Sequence, residues 1–259
     1  MNNVDKVINI AKAEVGYLEK KSNKNLDSKT ANAGRANYTK YGKWIGMNGD
    51  YWCASFVSWC FCTAYGYDIG KKLLCGAYSA ACEVIRKNFI NKKQYHTFLT
   101  GAKPGDVIFF KGSRHSGANH IGLIYKVGDG KVYTIEGNTS GASGVIDNGG
   151  GVTKKSYKTS DIHVLGYGRP AYDAILGRSA MKEVTTDKTT TVKGTSYYPK
   201  CNKFYSSITD ALKSVGVKDT SLYARNKIAE ANGIKSYVGS YIQNIKMLEL
   251  LKSGKLIKP

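Results

Sequence analysis

The chain has 259 residues, of which 42% are hydrophobic and 22% are charged, a balance typical of a folded globular protein. This composition excludes a wholly disordered chain. Lys and Arg number 39 against 19 Asp and Glu, which gives a formal net charge of +20. Such a field attracts polyanions such as nucleic acid, anionic lipid or anionic wall polymers, and it does not choose among them.

The start of the chain is predicted to be helical. No stretch has the roughly 20 consecutive apolar residues that a membrane span needs, so membrane insertion is not expected. A secretory signal, with its basic and apolar regions, is not recognisable. Residues 4–17 instead carry apolar side chains at helical spacing. We therefore expect synthesis in the cytoplasm, with export by other means if the target lies outside.

Six cysteines stand at positions 53, 60, 62, 75, 82 and 201. A chain of this length can build its core without disulfide staples, so reduced and mostly buried thiols are expected. The C-x-C spacing of Cys60 and Cys62 has no matching Cys/His pair downstream, which argues against a zinc site. No metal and no cofactor is predicted.

Periodicity changes along the chain. Residues 1–90 are predicted to be mainly helical, with helices at 4–17 and near 53–66 and 77–88. Short β runs separated by Gly-rich turns then follow between Gly105 and Pro170. The runs are 106–110, 120–127, 131–136, 151–157 and 164–168. Helices first and strands later predict an α+β domain, residues 1–172, with an antiparallel sheet.

Residues 173–195 contain a polar run and are predicted to be a linker. Beyond it, residues 196–259 regain helical periodicity in three apolar stripes. The stripes are Phe204, Ile208, Leu212 and Val215, then Leu222, Ile228 and Ala229, then Ile245, Leu248 and Leu251. Asn232-Gly233 and Gly254 stop the second and third stripes. A small three-helix module is predicted.

Cys53 is the first candidate for chemistry. Phe56, Val57 and Cys60 predict a buried helix that begins at or just after Cys53. A thiol at a helix N-terminus feels partial positive charge, which favours the thiolate, the nucleophilic form. The alternative at this point is an inert thiol in the core.

His120 is the candidate base. It opens a predicted strand, and Gly128-Asp129-Gly130 predicts a tight hairpin to the next strand. If Val127 pairs with Lys131, the register of the two strands is fixed. Since side chains alternate between faces, the residues that share the histidine's face can then be predicted.

In this register His120 lies opposite Asn138, and Gly122 lies opposite Glu136. His120, Glu136 and Asn138 then project from one face. His120 would take the thiol proton and return it to a leaving amine, while Glu136 or Asn138 would orient its second nitrogen. Backbone N–H groups at the start of the Cys53 helix would hold an oxyanion. A one-residue slip would scatter this cluster.

Other interpretations of these residues stay open. Glu136 could be a surface carboxylate and Asn138 a turn residue. His96, His115 and His163 lie in polar or weakly patterned surroundings and are expected to be solvated. His115 is the rival base that lies near in sequence.

Four sequence blocks resemble the CHAP family of the NlpC/P60 superfamily. They are Tyr51–Cys60, Lys103–Phe110, Asn119–Ile124 and Tyr133–Asn138, and they occur in family order. The resemblance spans roughly residues 1–172. It implies a papain-like α+β fold and a catalytic site carried by Cys53, His120, Glu136 and Asn138. It also implies cleavage of peptidoglycan amide bonds, either between muramic acid and L-alanine or within the peptide stem.

Two further segments are similar to parts of lysins. Thr30–Tyr41 looks like a variant found in lysins of Gram-positive bacteria and their phages, and Leu250–Pro259 is similar to clostridial-type lysins. The resemblance implies a phage endolysin that reaches the wall through a holin-type pore, with residues 196–259 as a wall-binding module. Its partners would be peptidoglycan and anionic wall polymers. Asn48 and Asp50 are too sparse for the calcium loop of some CHAP domains.

Two alternative functions belong to other classes of protein. A basic nucleic-acid-binding protein would use the +20 charge, yet the sequence has no helix-turn-helix, zinc-finger or RNA-binding signature, so no nucleic-acid partner is expected. A non-catalytic wall-binding protein on a hydrolase scaffold would have no need of Cys53, His120 and Glu136 together.

Overall fold

The computed structural model describes residues 3–76, 78–112, 117–141, 144–145, 148–177, 196–201, 205, 207–234, 237 and 241–259. The chain divides into two compact units, Met1–Glu183 and Val184–Pro259. The first unit combines helices with an antiparallel sheet, so the predicted α+β class is confirmed. Residues 172–177 are helical, and the remainder of the predicted linker, 178–195, lies outside the described residues.

Five helices precede the sheet in the described part of the first unit. They are α1 (Asp5–Glu14), α2 (Lys40–Ile45), α3 (Cys53–Tyr65), α4 (Tyr67–Leu73) and α5 (Cys82–Asn91). The first, third and fifth correspond to the predicted helices, although α5 begins five residues later than its pattern suggested. The apolar pattern did not predict α2 or α4.

The sheet has six strands, and every neighbouring pair is antiparallel. They are β1 (Tyr95–His96), β2 (Val107–Phe110), β3 (His120–Gly128), β4 (Lys131–Thr139), β5 (Gly151–Lys158) and β6 (Val164–Gly168), in the order β1-β6-β2-β3-β4-β5. Strand β1 was not predicted. The other five strands overlap the predicted β runs.

The central strands carry buried apolar side chains on both faces of the sheet. Phe109, Leu123 and Ile135 belong to the main apolar core, together with residues of α1 and α3. Side chains an odd number of positions away along the same strands, including Ile124 and Val132, form a second and smaller apolar cluster. Since side chains alternate along a strand, the two clusters occupy opposite faces. Polar side chains in the buried parts of β3 and β4 are therefore removed from bulk water, while Lys154, Ser156 and Lys158 of β5 stay exposed.

The second unit contains α6 (Ile208–Ser214), α7 (Leu222–Ala231) and α8 (Tyr241–Lys252). The side chains of Ser207 and Ser221 cap α6 and α7 at their N-termini. Gly233 and Gly254 have φ angles of 68° and 72°, the left-handed conformation expected just beyond a helix end. Phe204, part of the first predicted stripe, lies outside the described residues. Among the described helices, none is long and apolar enough to span a membrane.

Candidate active site

Cys53 is the first residue of α3, as its sequence position predicted, and only 3% of it is exposed. The first intrahelical bond of α3 runs from the N–H of Phe56 to the carbonyl of Trp52. The backbone N–H groups of residues 53–55 precede that bond, so they point from the helix end without an i−4 partner. This end of α3 combines a buried thiol with donors suited to a developing negative charge.

The β3–β4 hairpin turns differently from the prediction. Asp129 and Gly130 form a two-residue turn with φ angles of 57° and 68°. Positive φ at both central positions is typical of the tight turns that suit twisted hairpins. Val127 consequently pairs with Val132 rather than with Lys131, so the predicted closure is wrong.

A β-bulge corrects the register before the strands reach the site. The pairing shifts by one residue between Ile124 and Lys126, and Leu123 then pairs with Ile135. This is the alignment in which Gly122 faces Glu136, as the sequence analysis predicted from a different turn. Without the bulge, a one-residue slip would have turned Glu136 toward the opposite face of the sheet.

His120 and Glu136 meet in the resulting arrangement. The Nε2 atom of His120 lies 2.9 Å from Oε2 of Glu136, and both side chains are fully buried. An ionised carboxylate can only accept, so Nε2 donates this hydrogen bond. The bond fixes the ring orientation and leaves Nδ1 as the nitrogen that can receive a proton. Glu136 and Asn138 were both predicted to orient the ring, and it is Glu136 that accepts the hydrogen bond from Nε2.

Two further side chains hold the carboxylate of Glu136. Thr134 donates to Oε1 at 2.5 Å, and the Tyr157 hydroxyl donates to Oε2 at 3.1 Å. Burial, reinforced by the nearby carboxylate, raises the pKa of Tyr157, which therefore remains a donor. A buried charge needs such partners to offset its lost hydration. The sequence pattern predicts neither Thr134 nor Tyr157 as part of the site.

The thiol and the imidazole influence each other's ionisation. The pKa of Cys53 is lowered by a hydrogen bond with Cys82, against the opposing effect of burial, and further by His120 and the Ala54 N–H. Burial lowers the pKa of His120, but Cys53 and Glu136 outweigh it and raise the pKa overall. Both shifts favour a thiolate beside an imidazolium.

The sulfur of Cys53 and Nδ1 of His120 are near each other without forming a hydrogen bond. In the part of the chain that the structure describes, Nδ1 of His120 has no partner at normal hydrogen-bond distance. Cys53 nevertheless lies near enough to raise the pKa of His120. Catalytic hydrogen bonds without substrate are often long and tighten when the complex forms. The geometry thus brings together the two groups whose meeting the sequence analysis required.

Asn138 and the other histidines were the remaining candidates for the site, and their surroundings differ from those of His120 and Glu136. Asn138 is buried beyond Glu136 in β4 and adopts a left-handed φ of 56°, where the β4–β5 ladder shifts register. His96 stacks on Tyr167, and His163 contacts Asp161. His115, the rival base, lies outside the described residues. Within the described ranges, no three His, Cys, Asp or Glu side chains could hold a metal ion together.

Gly137 allows α3 to approach β4 closely. A Cβ atom at this position would lie 2.6 Å from Cβ of Phe56 and 2.8 Å from Cζ3 of Trp52. Real Cβ atoms do not approach so near, so a larger residue would push the start of α3 away from the sheet. The glycine between Glu136 and Asn138 therefore helps to set the position of Cys53 relative to His120.

Gly122 has a comparable role beside the carboxylate. A Cβ atom here would lie 2.7 Å from Cγ of Glu136. We expect Gly122→Ala to displace Glu136 from the ring and to slow any reaction that depends on Cys53 and His120 about 100-fold, since misplacing a reacting group by about 1 Å can cost that much. The measurement is the initial rate of that reaction at fixed protein concentration.

Gly128→Ala is the matched control, because it lies in the same strand and its added Cβ would meet nothing closer than 4.0 Å. Equal activity of the two alanine variants, both folded, would contradict this role of Gly122.

Comparison with known proteins finds a family model for part of the chain. The model of the CHAP domain family matches residues 44–138. This CHAP region contains Cys53, His120, Glu136 and Asn138, and it covers less than half of the chain. CHAP domains are typically cysteine peptidases or amidases that act on peptidoglycan.

Among solved structures, the chain is similar to one described as "The crystal structure of Ly7917". The two share 11% sequence identity with a TM-score of 0.37, and the alignment covers 66% of this chain and 63% of that one. The chain thus spans less than two thirds of that protein's length. The comparison with curated proteins found no match.

Cys82 was missed altogether as a member of the site. Its sulfur lies 3.4 Å from that of Cys53, although 29 positions separate the two in sequence. No spacing rule joins two cysteines on different helices. Thr134 could have been found, because it precedes Glu136 by two positions on one strand.

Proposed function

We propose that the chain is a lytic peptidoglycan hydrolase in which Cys53 is the nucleophile and His120 the general base. The bond cut would be the N-acetylmuramoyl-L-alanine amide or an amide within the peptide stem. One observation carries the proposal: a thiol at the N-terminus of α3 lies beside an imidazole whose other nitrogen is held by a buried carboxylate. This is the arrangement that activates a cysteine for acyl transfer.

The reaction would proceed in two halves. Nδ1 of His120 takes the Cys53 proton, and the thiolate attacks the amide carbonyl carbon. The N–H groups at the start of α3 stabilise the tetrahedral oxyanion, and His120 then protonates the leaving amine. Water, deprotonated by His120, attacks the resulting thioester and releases a carboxylate with regeneration of the thiol. Glu136 stabilises the imidazolium in both halves.

Fragment analysis tests both the activity and the bond. Purified protein should clear Gram-positive cell walls and release new amine termini, and mass spectrometry of the fragments should identify one scissile amide. Peptides beginning with L-alanine, separated from intact glycan, would indicate muramoyl-amide cleavage, whereas shortened stems would indicate endopeptidase activity. Cleared walls without new amines, or no clearing at all, would contradict the proposal.

The second unit is proposed to bind the wall. Tyr223 and Tyr197 expose 69% and 49% of their surface, and Leu222 is exposed beside Tyr223. Lys227 lies over the Tyr223 ring with its Nζ 4.7 Å from the centroid. Exposed aromatic faces suit sugar stacking, and the basic charge suits anionic polymers. Tyr237, in contrast, is buried in the core of the unit.

Tyr223→Ala should weaken wall binding by about threefold to tenfold, the scale of a single aromatic contact. Binding is measured by sedimentation with intact walls, using full-length protein that also carries Cys53→Ala so that the walls survive. Ile162→Ala, which removes another exposed apolar side chain in the first unit, is the control. Equal binding by both variants would exclude Tyr223 from the wall-binding surface.

The biological role is proposed to be that of a phage endolysin of a clostridial-type system, released to the wall through a holin-type pore. The similarity of Thr30–Tyr41 and Leu250–Pro259 to lysin segments supports this role. Expressed inside a susceptible Gram-positive host, the protein should lyse cells when the membrane is permeabilised. Equally rapid lysis with an intact membrane would contradict pore-dependent release.

A further inference from the structure

Two thiols from different helices meet beside the site. Cys82 is the first residue of α5, as Cys53 is of α3, and their sulfur atoms lie 3.4 Å apart. Both residues are buried, with 6% and 3% of their surface exposed. The distance is a hydrogen-bond distance for sulfur and well beyond the roughly 2.05 Å of a disulfide. None of the six cysteines, all of which lie in the described residues, forms a disulfide.

Such a pair of cysteines exists more readily as one thiol and one thiolate than as two thiolates. Two thiolates this close in a dry environment would repel each other strongly, so the second ionisation is suppressed once the first has occurred. The remaining S–H then points at the thiolate. The question is which sulfur carries the charge.

The surrounding groups place the charge on Cys53. His120 on β3 and the Ala54 N–H on α3 both lower the pKa of Cys53. Cys82 is followed by Glu83, a carboxylate whose pKa is lowered by its hydrogen bonds with Arg86 and which is therefore ionised. A thiolate at Cys82 would directly precede this anion in the chain, whereas a thiolate at Cys53 is stabilised by His120.

We propose that Cys82 is a positioning residue that keeps its proton and donates an S–H···S hydrogen bond to the Cys53 thiolate. This inference rests on the proposed function, because it deepens the role of Cys53 as nucleophile. The Cys53 proton moves to His120, and Cys82 transfers none. Cys82 therefore stabilises the nucleophile without being a catalytic acid or base.

The test measures the thiolate directly. Alkylation of Cys53 by iodoacetamide is followed by mass spectrometry of its peptide across pH 4–9 in full-length wild type, Cys82→Ala and Cys82→Ser, alongside the pH profile of wall clearing. Cys82→Ala should shift the acid limb of both profiles upward by about one pH unit, equivalent to a tenfold smaller thiolate fraction below the limb. Cys82→Ser retains an O–H donor and should recover most of that shift.

Cys62→Ala is the control, since it removes another buried thiol from α3 itself. It should leave the acid limb in place, and thermal melting checks the fold of every variant. A wild-type acid limb in folded Cys82→Ala would overturn the inference. A shift in Cys82→Ser as large as that in Cys82→Ala would also overturn it, because packing rather than a donor would then be responsible.

The two proposals can fail separately. Alkylation reports the Cys53 thiolate whether or not walls are cut. A wild type that is alkylated at low pH in a Cys82-dependent manner, yet leaves peptidoglycan intact, would contradict the proposed function while retaining the S–H donor.

Discussion

Cys53→Ala should abolish wall hydrolysis, with a loss of about 10³-fold or more in initial rate, and should leave wall binding unchanged. Removing the nucleophile removes covalent catalysis, and what remains is the small contribution of the oxyanion donors and substrate binding. The side chain is small and buried next to Cys82, so alanine fits the same space. Clearing of wall suspensions and sedimentation of the protein with intact walls measure the two properties separately.

Cys60→Ala serves as the matched control for this substitution, because Cys60 is equally buried in the same helix. Burial, the largest effect, raises the pKa of Cys60, so it remains an inert thiol. Substantial clearing by Cys53→Ala, or an equal loss in Cys60→Ala with its fold intact, would remove Cys53 from the reaction.

Glu136→Gln should lower kcat/KM about 100-fold or more, the scale of general acid–base catalysis. The amide keeps the shape of the side chain and can still accept from Tyr157, while the Thr134 hydroxyl can turn to accept from its NH₂ group. The negative charge beside His120 is the feature that disappears. The loss therefore measures electrostatic stabilisation of the imidazolium rather than packing.

The pH dependence of activity shows in which direction Glu136→Gln shifts the pKa of His120. The ion pair of thiolate and imidazolium exists above the lowered pKa of Cys53 and below the raised pKa of His120. Glu136 contributes to raising the pKa of His120, so its neutralisation lowers that pKa and moves the alkaline limb to lower pH. Glu230→Gln, the same exchange at an exposed position of the second unit, should move neither limb. An alkaline limb that stays at its wild-type pH in Glu136→Gln would contradict the assignment.

The sequence predicted elements whose signals are local. The α3 helix has a continuous apolar pattern, and the ends of α7 and α8 have glycines where left-handed conformation is needed. The short α2 has a capping residue at each end. Thr39 accepts from the Gly42 N–H at its start, and Gly46 has a φ of 84° at its end. Its six residues are too few for a periodic pattern to emerge.

The site was partly predictable for the same reason. Alternation along β3 and β4 placed His120 and Glu136 on one face, although the predicted turn closure was wrong. Cys82 could not be predicted, because its meeting with Cys53 depends on how α5 packs against α3. Tyr157 required the register between β4 and β5, where it pairs with Val132. Contacts between separate elements are set by packing, which no single segment encodes.

The bulge in the β3–β4 hairpin divides its hydrogen-bond ladder into two parts, whose pairing differs by one residue. One ladder belongs to the histidine and its carboxylate, and the other ends at the exposed turn of Asp129 and Gly130. A residue inserted at that tip would be accommodated in the outer ladder, because exposed loop tips tolerate added chain. The tip is therefore a suitable anchor for a fluorescent dye or a solid support on an enzyme that must keep its reaction centre undisturbed.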